Sequence, residues 1–292
     1  MAVEVSGYTF VRCLECNLYY VNPQPSTEEL EHRYAEYYLD HQWQNGEADF
    51  NRKILKIVSS LKSNGSVLDI GCGNGQLLSF FKQKGHRTVG WEISRGKGVE
   101  HAEKVYGLEI FVGTQDEFRK QYGSQQNFDI CILSNVLEHL KNPFVVLEEI
   151  HRQLKDDGLL VIIVPNLFLH LLVGRLRQWL GKSDPFLIEK KPPPLVAFDA
   201  PLHLTAFSPG TLKKMLAKAG YQTTLMRHAP AVFSGKLGFV VKDLLKRLLV
   251  PLSNTINYLT TGKVLIGYSI LAIAKKLEKK SSKEMQTYID SQ

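Results

Sequence analysis

Cysteine is scarce in this chain: four among 292 residues, at positions 13, 16, 72 and 131. That excludes a disulfide-built scaffold and makes a reducing cytoplasm the expected compartment. Long apolar runs are missing too. The longest, Val264 to Ala274, falls short of the ~20 residues of a spanning helix and contains Gly267 and Ser269. Met1 to Val11 lacks a basic segment followed by an apolar one, so no signal peptide is expected. The positive residues form no long block apart from Lys275-Lys276 and Lys279-Lys280 in the tail. With a formal charge of +7, the chain suits an anionic membrane surface or an anionic small molecule, and no nucleic-acid partner is expected. What the chain does have is 44% hydrophobic residues, enough for one large core and a small extra lobe.

The organising stretch is Val67 to Gly75. An apolar run with a β-branched start meets Asp69, and Gly71, Gly73 and Gly75 follow at alternate positions. This pattern predicts a buried strand, a tight turn, and a helix opening near Gln76. Glycine lets the backbone take φ > 0 and lets a ligand lie against it. A G-x-G-x-x-G dinucleotide fingerprint would need glycine where Gln76 stands. Asp69 would repel a pyrophosphate but suits a cationic ligand. After the turn, Leu77, Leu78, Phe80 and Phe81 give a helix with a wide apolar side, and a strand returns to end at Glu92. Glu92 lies at about the ~20-residue distance at which an acid reaches ribose hydroxyls in nucleotide-binding βαβ units.

Asp69-Ile70-Gly71-Cys72-Gly73-Asn74-Gly75 resembles the D-x-G-x-G-x-G motif of class I S-adenosylmethionine-dependent methyltransferases. Val136-Leu137-Glu138-His139-Leu140 resembles the same family's "VLEHL" stretch, and His203 to Tyr221 its "HL-x-x-F-S … L-L-x-x-A-G-F" run. The resemblance implies a Rossmann-like α/β fold. Its doubly wound seven-stranded sheet would have the order 3-2-1-4-5-7-6, with helices on both faces. It implies S-adenosyl-L-methionine as cofactor, held by Asp69, Gly71, Cys72, Gly73, Gly75, Glu92, Ile93, Gln115, Asp116, Ser134 and Asn135. His139 is the expected base for a hydroxyl acceptor, and His203 is expected to face that acceptor. Some similar quinone O-methyltransferases bind a divalent metal in this segment, but Asn135 stands where they place an acid, so no metal is assigned. A capping role for His139 and a purely structural, hydrogen-bonded His203 are the competing readings.

Around this core the chain divides further. Residues 1–25 read as a hairpin around Cys13-Leu14-Glu15-Cys16, a remnant of the N-terminal zinc ribbon that similar methyltransferases carry; two thiols alone do not close a zinc tetrahedron. Residues 26–62 read as two helices, the first carrying Tyr34, Tyr37 and Tyr38 either over the cofactor or against the sheet. The methyltransferase domain spans 63–275, with a parallel sheet read from its strand–helix alternation, a lid at 167–200 and an insertion at 229–262; residues 276–292 form a charged tail. Within the insertion, 236–252 sets Leu237, Val240, Val241, Leu244, Leu245 and Leu248 against Lys242, Lys246 and Arg247, the pattern of an interfacial helix. The expected activity is methyl transfer to a small-molecule or lipid-like acceptor, at oxygen, by a cytoplasmic or peripheral membrane protein. The alternatives are a sugar or lipid-linked glycan acceptor, and a membrane-associated cofactor-binding module without turnover.

Overall fold

The structure is a computed structural model, and it describes residues 2–5, 7–40, 46–123, 127–167, 201–230, 251–256, 259–260, 265 and 267–277. The chain opens with β1 (Ala2–Val5), β2 (Tyr8–Arg12), β3 (Tyr19–Val21), α1 (Thr27–Asp40) and α2 (Gly46–Ser59). Strands and helices then alternate: β4 (Ser66–Ile70), α3 (Gln76–Gln83), β5 (Arg87–Glu92), α4 (Lys97–Tyr106), β6 (Glu109–Val112), α5 (Gln115–Tyr122), β7 (Phe128–Ser134). A 3-10 turn at Leu137–His139 leads to α6 (Pro143–Gln153) and β8 (Leu154–Pro165). The last described elements are β9 (Thr205–Ala206), α7 (Pro209–Lys218), β10 (Tyr221–His228) and β11 (Ser269–Lys276).

Seven strands form one sheet in the order β10-β11-β8-β7-β4-β5-β6. Numbered from β4 as the first core strand, this is the expected 3-2-1-4-5-7-6. The neighbouring pairs from β6 through β8 are parallel, whereas β11 runs antiparallel to both β8 and β10. The parallel pattern read from the strand–helix alternation thus holds from β6 through β8, and β11 makes the sheet mixed. An antiparallel neighbour needs no crossover helix on the sheet face, so β11 can slot between two strands that run together.

The sheet is covered on both sides, as its continuous apolar strands require. Leu68, Ile70, Cys131, Leu133, Leu160 and Ile162 face a core with Phe118 of α5, Leu147 and Ile150 of α6, and Leu212 and Leu216 of α7. Their alternates, Val67, Ile130, Ile132, Val161 and Ile163, face Ile54 and Val58 of α2 and Leu78 and Phe81 of α3. The period of two along each strand is what feeds both layers. Helix ends follow local chemistry. Asn142 caps α6 ahead of Pro143, its side chain accepting from the Val145 N–H at 3.3 Å, and Ser208 and Thr211 form a reciprocal capping box on α7.

The apolar run Leu159 to Val164 predicts the strand before Pro165, but β8 starts earlier, at Leu154, because Leu154 already pairs with Phe128 and the Asp156-Asp157-Gly158 segment stays extended across a register shift. The N-terminal hairpin is not an independent unit. Its strands form a four-stranded sheet, β1-β2-β3-β9, in which Tyr19 pairs with Ala206 and Tyr20 with Thr205. The hairpin is thus fastened to a segment almost two hundred residues downstream. Residues 168–200 of the expected lid, 236–250 of the expected interfacial helix and 278–292 of the tail lie outside the described residues, as do the side chains of Tyr37 and Tyr38. Just before residue 168, Asn166 bridges Phe207, and the Leu167 N–H donates to the Phe207 carbonyl at 2.8 Å. No helix among the described residues is long and apolar enough to cross a membrane.

Candidate active site

Because β4, β5, β6, β7 and β8 run the same way, their carboxyl ends share one edge, where ligands of open α/β sheets sit. The turn after β4 is left-handed at Gly71, Gly73 and Gly75, with φ of 66°, 56° and 72°. A Cβ on Gly71 would lie 2.5 Å from Val136 Cγ2, and one on Gly75 would lie 2.5 Å from Leu108 Cδ1. Glycine at these two positions is therefore demanded by conformation and by space. The Glu92 carboxylate swings back over this turn and accepts the Gly73 N–H at 2.6 Å. Burial raises the Glu92 pKa, against hydrogen bonds from Gly73 and Ile93 that lower it.

Asp69 is 2% exposed, and its Oδ1 has no hydrogen-bond partner among the described residues. Burial, followed by the charge of Glu92, pushes its pKa up to about 8. Burial thus favours the protonated form of this carboxyl relative to an exposed aspartate. Cys72 contributes through its backbone, whose carbonyl accepts the Gly75 N–H at 2.9 Å. Its thiol is buried, lying 2.6 Å from where a Cβ on Gly90 would be, and burial raises its pKa well above the ordinary value. Ile93, 70% exposed, presents an apolar side chain next to Glu92.

The second cluster lies beyond β7. Ser134 is half-buried and Asn135 exposed; Asn135 takes φ of 54° and donates its N–H to the Ile163 carbonyl at 2.9 Å. That bend sends the chain over Gly71 at Val136 and into the 3-10 turn with Glu138 and His139. The His139 Nδ1 donates to the Leu202 carbonyl at 2.9 Å, which leaves the lone pair of the neutral ring on Nε2. Nε2 lies 3.9 Å from a Glu138 oxygen. His203 packs edge-on against His139 with ring centroids 4.7 Å apart, and the Tyr34 ring of α1 approaches His139 to 6.0 Å. Glu138 is wholly buried, neither carboxyl oxygen has a hydrogen-bond partner among the described residues, and burial pushes its pKa up to about 8. Ligand atoms of Glu138, His139 and His203 lie within 4.8 Å of one another, close enough to share a cation.

Backbone contacts hold this cluster together. The Leu204 N–H donates to the Glu138 carbonyl at 2.8 Å and the Val21 N–H to the Leu204 carbonyl at 2.9 Å. Gln24 Nε2 reaches the Lys141 carbonyl at 3.1 Å, and Lys141 Nζ reaches Thr27 Oγ1 at 3.0 Å. Gln115 and Asp116 are placed differently from the rest. Both lie in the first turn of α5, where the Gln115 amide donates to Glu149 at 3.1 Å and the exposed Asp116 pairs with Arg119. That cluster has its own logic. Burial would raise the pKa of Glu149, but hydrogen bonds from Arg119, Arg152, Gln153 and Gln115 outweigh it and hold the carboxylate at about 2. Asn166, at the end of β8, donates its amide to the Leu265 and Gly267 carbonyls, at 2.7 and 2.9 Å, and anchors the approach to β11. In the sequence, Glu138 and His139 already match the acid-and-histidine pattern with which similar quinone O-methyltransferases hold a metal; the structure adds His203 to that pair.

The sequence model of a family described as "Methyltransferase domain" matches residues 36–225, well over half of the chain. The chain belongs to the methyltransferase-domain family. This bears out the resemblance carried by the glycine turn, the Val136 to Leu140 stretch and the run from His203. Among the relatives of this methyltransferase is a ubiquinone biosynthesis O-methyltransferase of Glaesserella parasuis serovar 5 (strain SH0165). It is 32% identical over 142 residues, 42% of this chain and 59% of that protein. One of the same name from Pseudomonas aeruginosa (strain UCBPP-PA14) is 27% identical over 156 residues, covering 47% of this chain and 65% of the relative. The matches therefore span less than two thirds of these relatives' length. Among solved structures, the Burkholderia thailandensis 1,6-didemethyltoxoflavin-N1-methyltransferase, with 1,6-didemethyltoxoflavin and S-adenosylhomocysteine bound, aligns with a TM-score of 0.56 at 15% identity. The alignment covers 95% of this chain and 99% of that one. At that identity the likeness speaks for the fold.

Proposed function

We propose that the protein transfers a methyl group from S-adenosylmethionine to an oxygen of a small-molecule or lipid-like acceptor. Bound in the cleft, the cofactor supplies an electrophilic methyl on a cationic sulfur. The residues present fit it. Asp69 offers a buried oxygen that lacks a partner among the described residues, and the Gly71 to Gly75 turn leaves backbone exposed where a side chain would intrude. Glu92 is positioned for hydroxyls and Ile93 for an apolar ring face. Ser134 and Asn135 border the same edge, while Gln115 and Asp116 would have to contribute from the start of α5.

The observation that carries the acceptor side is the grouping of Glu138, His139 and His203 beside the glycine turn, joined to it through the contact of Val136 with Gly71. His139 is the base: the Leu202 carbonyl fixes its tautomer, and Nε2 takes the proton of an acceptor hydroxyl. His203 braces the ring and lines the mouth. Glu138, with an oxygen 3.9 Å from Nε2, is close enough to stabilise the imidazolium that forms. Holding the hydroxyl in line with the methyl is the main demand on the site. The names of the relatives from Glaesserella and Pseudomonas favour a quinone-like phenol. We place the protein in the cytoplasm or at a membrane surface. Leu252 and Leu259, 54% and 73% exposed, continue the apolar character of 236–252 and support contact with that surface.

Incubating the chain with methyl-labelled S-adenosylmethionine and a cell lipid extract, against a polar extract, tests the reading. Label in a lipid fraction, absent with His139→Gln, is the expected result. Label only in saccharide fractions would move the acceptor to a sugar or glycan. Cofactor binding by calorimetry without turnover in either extract would leave a binding module.

A further inference from the structure

Cys13 and Cys16 lie outside the site described above, in the tight turn that joins β2 to β3. The Cys13 N–H donates to the Leu18 carbonyl at 2.9 Å and the Asn17 N–H to the Cys13 carbonyl at 3.1 Å. Asn17 closes the turn with φ of 65°, and its side chain accepts from Arg12 at 2.5 Å. The turn folds the two thiols onto each other. The Cys13 sulfur accepts from the backbone N–H groups of Cys16 and Glu15 and from the Cys16 thiol, while the Cys16 sulfur accepts from the Leu18 N–H. Both cysteines are free and only partly buried, and Leu14 at the tip is 94% exposed, so a reagent can reach them.

The pair is also asymmetric. Backbone hydrogen bonds from Cys16 and Glu15 lower the pKa of Cys13, whereas burial raises that of Cys16. One sulfur is suited to attack and the other to be kept in reserve as a thiol. A tetrahedral metal site would need further ligands. Among the described residues, the group of three or more potential ligand side chains is Glu138, His139 and His203, and neither cysteine belongs to it.

We propose that Cys13 and Cys16 are a reversible dithiol–disulfide pair that exchanges with low-molecular-weight disulfides. The Cys13 thiolate attacks one sulfur of the external disulfide, whose S–S bond breaks to release one thiolate that picks up a proton. Cys16 then gives up its proton and attacks the Cys13 sulfur, forming the internal S–S bond and releasing the second external thiol. Two protein thiols are oxidised and one external disulfide is reduced to two thiols. The turn sits on the four-stranded sheet whose β9 begins two residues after His203, so the pair shares a scaffold with the wall of the acceptor mouth.

The test uses the full chain, reduced, freed of metal by a chelator, and equilibrated in graded ratios of reduced to oxidised glutathione. Maleimide quenching and mass spectrometry read the thiols. The expected result is loss of two modifiable thiols together, with the peptide containing residues 13–16 lighter by two hydrogens. Cys72 and Cys131, both buried, stay reduced. Cys16→Ser should stop at a glutathione adduct on Cys13, and Cys13→Ser should react roughly 10-fold more slowly. The proposal is overturned if both thiols stay modifiable at the most oxidising ratio, if oxidation links two chains, or if Cys16 proves the faster nucleophile. It is equally overturned if zinc chloride, restored to the reduced chain, occupies both sulfurs and blocks exchange, which would make the turn a metal half-site. The wild-type readout needs no variant, so a folding defect in a mutant cannot blur the outcome.

Discussion

The proposed cofactor edge and the proposed acceptor mouth are built in opposite ways. The first comes from one continuous stretch, Asp69 to Gly75, with Glu92 returning across it to the Gly73 N–H. Its geometry follows from left-handed glycines that no other residue could replace without strain. The second is assembled from parts remote in sequence. His139 is oriented by the Leu202 carbonyl, His203 packs edge-on against it, and the chain continues from there into β9, which pairs with β3 near the N-terminus. Local chain chemistry makes a cradle, and tertiary packing makes a reactive centre.

Removing the base should separate the two most sharply. His139→Gln is expected to lower kcat/KM by about 10²- to 10⁴-fold with cofactor affinity nearly unchanged, measured by steady-state turnover alongside calorimetry. A large loss of cofactor binding in this variant would break the distinction.

Next comes the scaffold of the mouth. Phe10 is fully buried under the small sheet, so Phe10→Ala should cost about 3–5 kcal/mol in denaturant unfolding. Turnover should fall in the variant, while the cofactor still binds to the fraction that remains folded. If turnover per folded molecule is unaffected, the N-terminal sheet does not shape the mouth.

The mirror-image experiment is Gly71→Ala. Its Cβ would stand 2.5 Å from Val136 in a left-handed conformation, so cofactor affinity should weaken about 10- to 100-fold in calorimetry, a cost of ~1.4–2.7 kcal/mol. Since Val136 leads into the 3-10 turn, some loss of turnover should follow; unchanged affinity would refute the cradle.

Proton linkage sharpens the same edge. Burial, followed by the charge of Glu92, pushes the Asp69 pKa up to about 8, and a cationic ligand would select its ionised form. Affinity should therefore fall about tenfold per pH unit below 8 and level off above it, with Asp69→Asn abolishing the slope. The sign for folding is opposite. An acid with a raised folded pKa favours the native state below its unfolded value of ~3.9, and that advantage is lost as pH rises through about 8. Asp69→Asn should thus raise Tm at pH 8 relative to the parent, and an unchanged or lower Tm there would argue against a protonated Asp69.

The smallest effect belongs to neither region. Thr114 caps α5 in a reciprocal box with Glu117, so Thr114→Ala should cost about 1 kcal/mol in urea unfolding and leave both binding and turnover alone. A functional change in that variant would mean that α5 reaches the site after all, and would give Gln115 and Asp116 a role beyond the Glu149 network.

Much of this was legible before any coordinates. Apolar runs at Val67, Phe128 and Leu159 marked the central strands, and alternating elements with short turns specified the layered architecture. The glycine turn and the strand that ends at Glu92 were legible because their geometry is local. Several features were not legible. The reversal of β11 depends on which neighbours accept its hydrogen bonds, and an apolar strand does not encode its direction. The raised pKa of Asp69 depends on burial, which follows from packing of the sheet. The start of β8 at Leu154 depends on Phe128 across the sheet.

The amino-acid order alone determined the strand–turn–helix cradle, because backbone conformations open to glycine and closed to other residues act within a few positions of themselves. Only the folded chain decided the company of His139. Glu138, His203, Leu202 and Tyr34 meet there through long-range hydrogen bonds and ring contacts. Contacts of that separation arise when two sheets close on one another, which no local pattern specifies.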